Sequence, residues 1–551
     1  VKIALLLLLT VLSLTAIDAA NWEWVVSSGS NGMDRVWDMA LDPAGNILVA
    51  GEFTDTLLVG DISISGFGLT DIFVTKYSPA GVPLWARVFG GTEGDVGLSI
   101  DTDAVGNSYL TGYYSGTAHF GTHVFTSAGS WDVFLVKLDP AGNIIWAHSE
   151  GGPNGDIGYG LAVMPDGWCF VTGWFGESIT FHDATTLTGF GGSDVLVFAC
   201  DGNGNLLWKR HAGTEGVEYG YKIAVDFNGD CYVTGVAGIG TNFSGTLLQT
   251  DGAFVASYSC LGNLRWQTGA SGAGVNDIAV DETFFPIQML GCITGRITGT
   301  AVFGEQVLTS VDGSDDAYGA IFNTMTGAWT SAQITGGPGS DKGRAAEWKS
   351  HPYYAGSFEE TANLFGFNAT SAGASDIFVR GDTPSNWGWL LTAGGINNDV
   401  PVDVVADDNG NVYICGWFSG TARFGNDLLI NSGNDSDLDM FVAKINTATS
   451  NDEQVSALVP PALRCYPNPF SGNLNIAFTP VAPQSKSPAE LSIYNLKGEK
   501  VRTLALTRKN PGSLEAVWDG NNDWGRKCPS GVYLLKSSPS GGKAVKTLLL
   551  N

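Results

Sequence analysis

Residues 21–30, NWEWVVSSGS, read as the last strand of a repeat whose other strands lie far away in the chain. Trp24 precedes Trp85 by 61 residues, and Gly29 follows Trp24 by five residues just as Gly90 follows Trp85. The tryptophan recurs at Trp146, Trp208, Trp266, Trp329 and Trp389. A glycine closing a short apolar run recurs at Gly51, Gly112, Gly173, Gly235, Gly295, Gly356 and Gly416, spaced 60 to 62 residues apart. A third column opens with aspartate at Asp71, Asp132, Asp194, Asp316, Asp376 and Asp439, with Gly252 in the fourth unit. Turns such as DPAGN (42–46, 139–143) and DDNGN (407–411) join the runs, so each unit reads as four short strands. The seventh unit stops after DMFVAKINT with no fourth strand, and NWEWVVSSGS supplies one. The expected fold is therefore all-β: a seven-bladed β-propeller closed by the strand at 21–30 and followed by a small Ig-like β-sandwich. A linear solenoid gives no reason for a displaced strand.

Composition agrees with strands and tight turns, with 75 Gly, 17 Trp and only 15% charged residues in 551. Up to Pro460 there are 16 Lys and Arg against 50 Asp and Glu, and beyond it 12 against 5, which marks a domain boundary near 450. So acidic a body argues against nucleic acid as a partner. Residues 1–20 run from Lys2 through an apolar stretch to small residues, the order of a secretory signal peptide. No later segment is apolar enough to span a bilayer. The expected domains are 1–20 signal peptide, 21–447 propeller, 448–460 linker and 461–551 C-terminal domain. Among eight scattered cysteines, Cys465 and Cys528 share the basic C-terminal region and are a candidate disulfide.

The order VTG, SGTA-x-FG (115–121, 419–425), D-x-FV-x-K and GN-x-x-W resembles the SBBP class of bacterial β-propeller repeat over about residues 21–447. That resemblance implies a fold and an extracellular setting, with no common activity. Further on, YPNPF, IYN-x-x-G, W-x-G and SGVY precede a terminal apolar strand. Their order resembles the C-terminal sorting domain of the type IX secretion system, Ig-like and similar to flagellar hook-capping proteins. The resemblance implies export by that machinery and release or attachment at the outer cell surface.

No nucleophile, histidine cluster or metal-spaced motif points to catalysis. Asp34, Asp95, Asp156, Glu218 and Asp399 stand seventeen residues before the glycine column and Asp277 eighteen, while unit six offers only Asp341, two positions displaced. Carboxylates recurring where one blade leads into the next are expected to accept hydrogen bonds between blades; the alternative is a cation, calcium, held among them. The regular tryptophans are expected to pack between blades. For ligand binding the candidates are Tyr113, Tyr114, Trp174, Phe175, Trp417 and Phe418, which lead into excursions of variable length. The GN-x-x-W turn invites comparison with quinoproteins, but no convergent cofactor ligands accompany it. The functional expectation is a secreted, monomeric, non-enzymatic binding or adhesion protein for an extracellular glycan or protein, with no cofactor unless calcium. A polysaccharide hydrolase or lyase and a surface-layer component are the alternatives.

Overall fold

Runs such as DIFVTKY (Asp71–Tyr77) are β-branched and aromatic throughout and buried along their whole length, so they are central strands covered on both faces. The computed structural model describes residues 20–281, 289–349, 351–381, 388–433 and 437–447, and further on 462–466, 474–479, 490–495, 497, 499–505, 507–510, 513–538 and 545–549. The expected signal peptide but for Ala20, the linker and residues 282–288 of unit five lie outside the described residues. Every element described is a strand. The chain divides into two compact units, one up to residue 450 and one beyond it.

Within the first, a four-strand antiparallel meander recurs. Unit one comprises Asp34–Leu41, Ile47–Phe53, Asp71–Tyr77 and Pro83–Gly91, paired in that order. Units two and three repeat it from Val96 and Asp156. In units four and five one long strand, Leu264–Val280, closes the first meander and opens the next. Unit six opens at Lys342, and the last unit pairs Asp399–Ala406, Val412–Phe418 and Asp439–Asn446 with Asn21–Ser28. There Trp24 stands opposite Lys444 and Val25 opposite Ala443. First strands of successive units contact one another, and Asp399–Ala406 contacts Asp34–Leu41.

The turn motif has a local cause. Asp42 Oδ1 accepts the N–H groups of Ala44 (2.8 Å) and Asn46 (2.9 Å), and the Asn46 amide donates to Oδ2 at 2.8 Å. Asp139 and Asp201 do the same in the turns between third and fourth strands. These latter turns also receive the tryptophans of the preceding unit. Trp85 Nε1 donates to Pro140 O (3.2 Å), Trp146 to Gly202 O (3.2 Å), Trp208 to Cys260 O (2.9 Å) and Trp266 to Thr324 O (3.0 Å). The ring lies on the turn glycine, so that a Cβ at Gly142 would stand 3.2 Å from Trp85, and one at Gly262 only 2.5 Å from Trp208. Trp24 meets Gly81 of unit one at 3.1 Å in the same way.

The excursions between second and third strands prove to be regular hairpins in most units, such as Thr117–Phe120 with His123–Thr126. Ala118 and Phe120 are buried, and the hairpin pairs back onto Gly90 and Gly91 of the preceding unit. The SGTA-x-FG text thus encodes a latch rather than a variable binding loop.

The second compact unit consists of two four-stranded sheets, with Leu474, Ile476, Leu491, Ile493, Trp518 and Leu535 in its core. Cys528 is buried there; the Cys465 side chain lies outside the described residues.

Gly262 has φ +74 against a tryptophan ring, whereas Gly240, at φ +89, has open space where a Cβ would go. Gly262→Val should cost about 2–4 kcal/mol in chemical denaturation, from backbone strain plus overpacking. Gly240→Ala should cost about 1 kcal/mol, the backbone part alone.

Candidate functional site

Every first strand carries a β-bulge at the same place, directly after the residue that pairs with the column glycine. A bulge adds one residue to one side of the ladder and re-aims its side chain. The bulged residues are Trp37, Leu98, Tyr159, Tyr221, Asn276, Arg344 and Val402, in which only tyrosine recurs. Trp37, Tyr113, Tyr159 and Trp174 pack around Val96, Leu98 and Ile157. Tyr159 meets Tyr221 edge-on at 5.7 Å, and Trp174 meets Tyr219 at 5.6 Å. Trp37 Nε1 donates to Glu52 Oε1 at 3.2 Å, and the Arg35 guanidinium lies 6.0 Å from the Trp417 ring. Cations complete this end of the strands. Arg296 and Lys342 approach Asp315 at 3.5 and 3.6 Å. Burial, and then Arg296, hold Arg344 below the ordinary arginine range, and its Nε is a buried donor without an acceptor.

One step beyond the bulge the first strands present Asp38, Ser99, Gly160, Lys222, Asp277, Ala345 and Asp403. Lys222 Nζ donates to Asp38 Oδ1 at 2.6 Å, joining unit four to unit one. Asp38 Oδ2 also accepts the Ser99 hydroxyl (2.6 Å) and Ile100 N–H (2.8 Å). Asp277 Oδ2 accepts Ala346 N–H at 2.8 Å, and Asp403 Oδ2 accepts Met39 N–H at 3.0 Å. Burial pulls the Lys222 ammonium toward neutrality, but Asp38, Asp277 and Asp403 outweigh it and keep it charged. Burial pushes Asp277 up to about 6 against the pull of Lys222. From this level onward the strands line a cavity of about 760 Å³ to which every unit contributes, with Asp42, Asp101, Asp226 and Asp407 among its walls.

The carboxylates singled out from sequence are all buried, but they form two sets. Asp95 Oδ2 accepts Gly91 N–H (2.7 Å) and Oδ1 accepts Ser115 N–H (3.1 Å); Asp156 does likewise with Gly152 (2.7 Å) and Gly176 (3.2 Å). Asp34, Glu218 and Asp399 each hold the N–H four residues before them. Asp277 does not belong with them: the connection from Val280 to its partner Gly291 is longer than that from Leu41 to Ile47, so counting back from the glycine lands on the level of Asp38 and Asp403, and Ala273 holds the position equivalent to Asp34. Asp341 does belong, binding Gly337 N–H at 2.7 Å and Glu359 N–H at 3.1 Å. Its apparent displacement reflects a shorter turn between the first two strands of unit six. Burial pushes Asp34 and Asp95 up to about 7, and Asp156 and Asp399 to about 8.

Of the aromatic candidates, Tyr114, Phe175 and Phe418 are wholly buried core residues and cannot meet a ligand. Tyr113, Trp174 and Trp417, one residue earlier and on the opposite strand face, are half-buried at the aromatic end. The histidines are less scattered than their columns imply. His182 stacks on His148 at 4.0 Å and its Nδ1 lies 2.6 Å from Glu150 Oε1. Among the described residues no three His, Cys, Asp or Glu side chains group as metal ligands, and no helix is long and apolar enough to cross a membrane.

Residues 468–542 match the FlgD Ig-like domain family. An uncharacterized WD repeat-containing protein, L264, of Acanthamoeba polyphaga mimivirus is 25% identical over 350 residues, 48% of this chain. The match spans 25% of that relative's length. Among solved structures, PorZ of Porphyromonas gingivalis, a surface component of its type-IX secretion system, is similar at 12% identity and TM-score 0.25, over 94% of this chain and 81% of PorZ. Quinohemoprotein alcohol dehydrogenase from Comamonas testosteroni is similar at 8% identity and TM-score 0.33, over 94% of this chain and 78% of the enzyme. Likenesses at this level assign no activity.

Two outcomes follow. Lys222→Met leaves three buried carboxylates without their cation and should destabilise the protein by about 3 kcal/mol in urea denaturation. Raised carboxylates bind more protons folded than unfolded, so their stability is full below the ordinary carboxylate range and is lost as pH rises through about 6 to 8. Calorimetry in EDTA should therefore give a melting temperature several degrees higher at pH 5 than at pH 8; equal values would contradict the assignment.

Proposed function

We propose that this chain is an exported, non-enzymatic binding protein. Its repeat units act as seven blades of a β-propeller, closed by pairing of Asn21–Ser28 with Asp439–Asn446. In this reading residues 1–20 direct export, 448–460 link the propeller to the C-terminal domain, and 461–551 form an Ig-like sorting domain. The FlgD Ig-like match at 468–542 and the ordered motifs YPNPF to SGVY support that assignment. A bond between Cys465 and Cys528 would brace that domain. The ligand is a glycan bearing acidic groups, met at the aromatic end of the first strands.

One observation carries the binding reading: the bulged residues break the repeat. A structural role recurs from unit to unit, as the aspartates of the turns at 42–46, 139–143 and 201–205 do, whereas the bulged position holds tyrosine twice and five different residues in the other five units. Aromatic faces stack on sugar rings, and guanidinium groups take carboxylates in paired hydrogen bonds. In so acidic a body this end still gathers Arg35, Arg296, Lys342 and Arg344. The Glu150–His182–His148 group favours the hydrolase alternative by its composition. Both Glu150 oxygens are nonetheless engaged by His182, through its backbone N–H at 2.7 Å and its ring, and Glu150 is fully buried.

The test is a calorimetric screen of the full chain against neutral and uronate-bearing oligosaccharides. Binding of an acidic oligosaccharide, weakened at least tenfold by Tyr159→Ala with Arg344→Ala, is expected. Equal binding by that variant, or sugar released into solution, would contradict it.

A further inference from the structure

A second set of carboxylates faces the first. Asp71 opens the third strand of unit one beside Asp95, which opens unit two. A Cβ at Gly90 would stand 2.3 Å from Asp71 Oδ1 and 2.8 Å from Asp95 Oδ2, so both acids close on one point. Asp316 and Asp341 meet beside Gly336 at 2.3 and 2.7 Å, and Asp376 and Asp399 beside Gly394 at 2.4 and 3.0 Å. At the other three paired junctions, a Cβ at Gly151, Gly213 or Gly29 would strike Asp132, Asp194 or Asp439, and the N–H of the residue after that glycine binds Asp156, Glu218 or Asp34. The remaining junction, between units four and five, has lost both: Gly252 and Ala273 stand at the two positions. Carboxylates that served only to cap their own turns would have no reason to disappear together.

These acids are almost wholly buried, and several point an unsatisfied oxygen at their partner. Asp71 uses Oδ2 to accept the N–H groups of Phe67 (2.6 Å) and Gly68 (3.1 Å), while its Oδ1 is buried with no hydrogen-bond donor. Among the described residues, the Oδ1 atoms of Asp194, Asp316, Asp376 and Asp439 also lack a donor. Buried polar atoms in native proteins are nearly always satisfied, and two buried anions at this separation need either a counter-charge or a proton between them.

We propose that each of the six carboxylate-paired junctions binds one hard divalent cation, calcium in an exported protein, held between the two acids and completed by main-chain carbonyls and water. One divalent ion neutralises one pair, and the glycine at each junction keeps its approach clear of side chains. With two carboxylates per site the affinity falls in the weak range of extracellular calcium modules, about 10⁻⁴–10⁻³ M. The role, tying blade to blade, rests on the propeller reading.

The test uses the full chain, stripped with EDTA and then dialysed against calcium at pH 7.5. Bound metal is counted by atomic emission, melting temperature by calorimetry and β-structure by circular dichroism. Saturation near six calcium ions per chain, with a melting temperature several degrees higher than in EDTA, is expected. Asp71→Asn with Asp95→Asn should remove one ion, and Ala273→Ser at the unpaired junction none. Less than one ion bound, with an unmoved melting temperature and intact β-structure, would overturn the cation sites in favour of a shared proton while leaving the propeller standing. The wild-type count decides the matter even where a variant fails to fold. Magnesium in place of calcium checks the size preference: equal binding of both would contradict a calcium site.

Discussion

The tryptophan laid on its neighbour's turn glycine is the contact on which the repeat depends. A unit of four strands buries its apolar faces only against the units beside it, and the ring of Trp85 or Trp208 does this while its indole N–H donates to a turn carbonyl of the neighbour. The turn must then place a residue at positive φ with no Cβ, which explains why glycine and not merely asparagine stands there. The aspartate at its start holds the turn in shape without calling on the neighbour. Trp24 lays its ring on Gly81 likewise, though its Nε1 has no acceptor among the described residues, and the strand beginning at Asn21 is held by its ladder with Asp439–Asn446.

This explains what was legible in the sequence. Tryptophan, glycine and aspartate columns survive because each serves a contact made in nearly every unit, and their spacing gives the strand order. The site was harder to read. A longer connection between the first two strands of unit five offsets the count from the glycine column, so Asp277 looked like a partner of Asp34 although it stands with Asp38, Lys222 and Asp403. A shorter turn hid Asp341. Neither Lys222 nor Arg344 has a counterpart in other units, so no column announces them. Alternation also misled for the aromatic pairs: Tyr113 and Tyr114 are adjacent letters on opposite faces, one half-buried at the aromatic end and the other in the core.

Charge is arranged as economically as packing. The body is strongly acidic, yet much of that charge sits at turns and junctions where main-chain N–H groups receive it, and Arg35, Arg296, Lys342 and Arg344 gather at one end of the first strands. The opposite end opens into an acidic cavity, and Lys222 stands at the level that divides the two. The two ends of the same strands therefore offer different chemistry: aromatic and cationic on one side, carboxylate-lined on the other.

All of this requires that the strand near the start of the chain belong to the last unit. Native-state hydrogen exchange followed by mass spectrometry measures that directly, peptide by peptide. The account predicts that amides of Asn21–Ser28 exchange as slowly as those of their partner strand, Asp439–Asn446, and open with it in a single step. Exchange of 21–28 within seconds, while 439–446 stays protected, would contradict it.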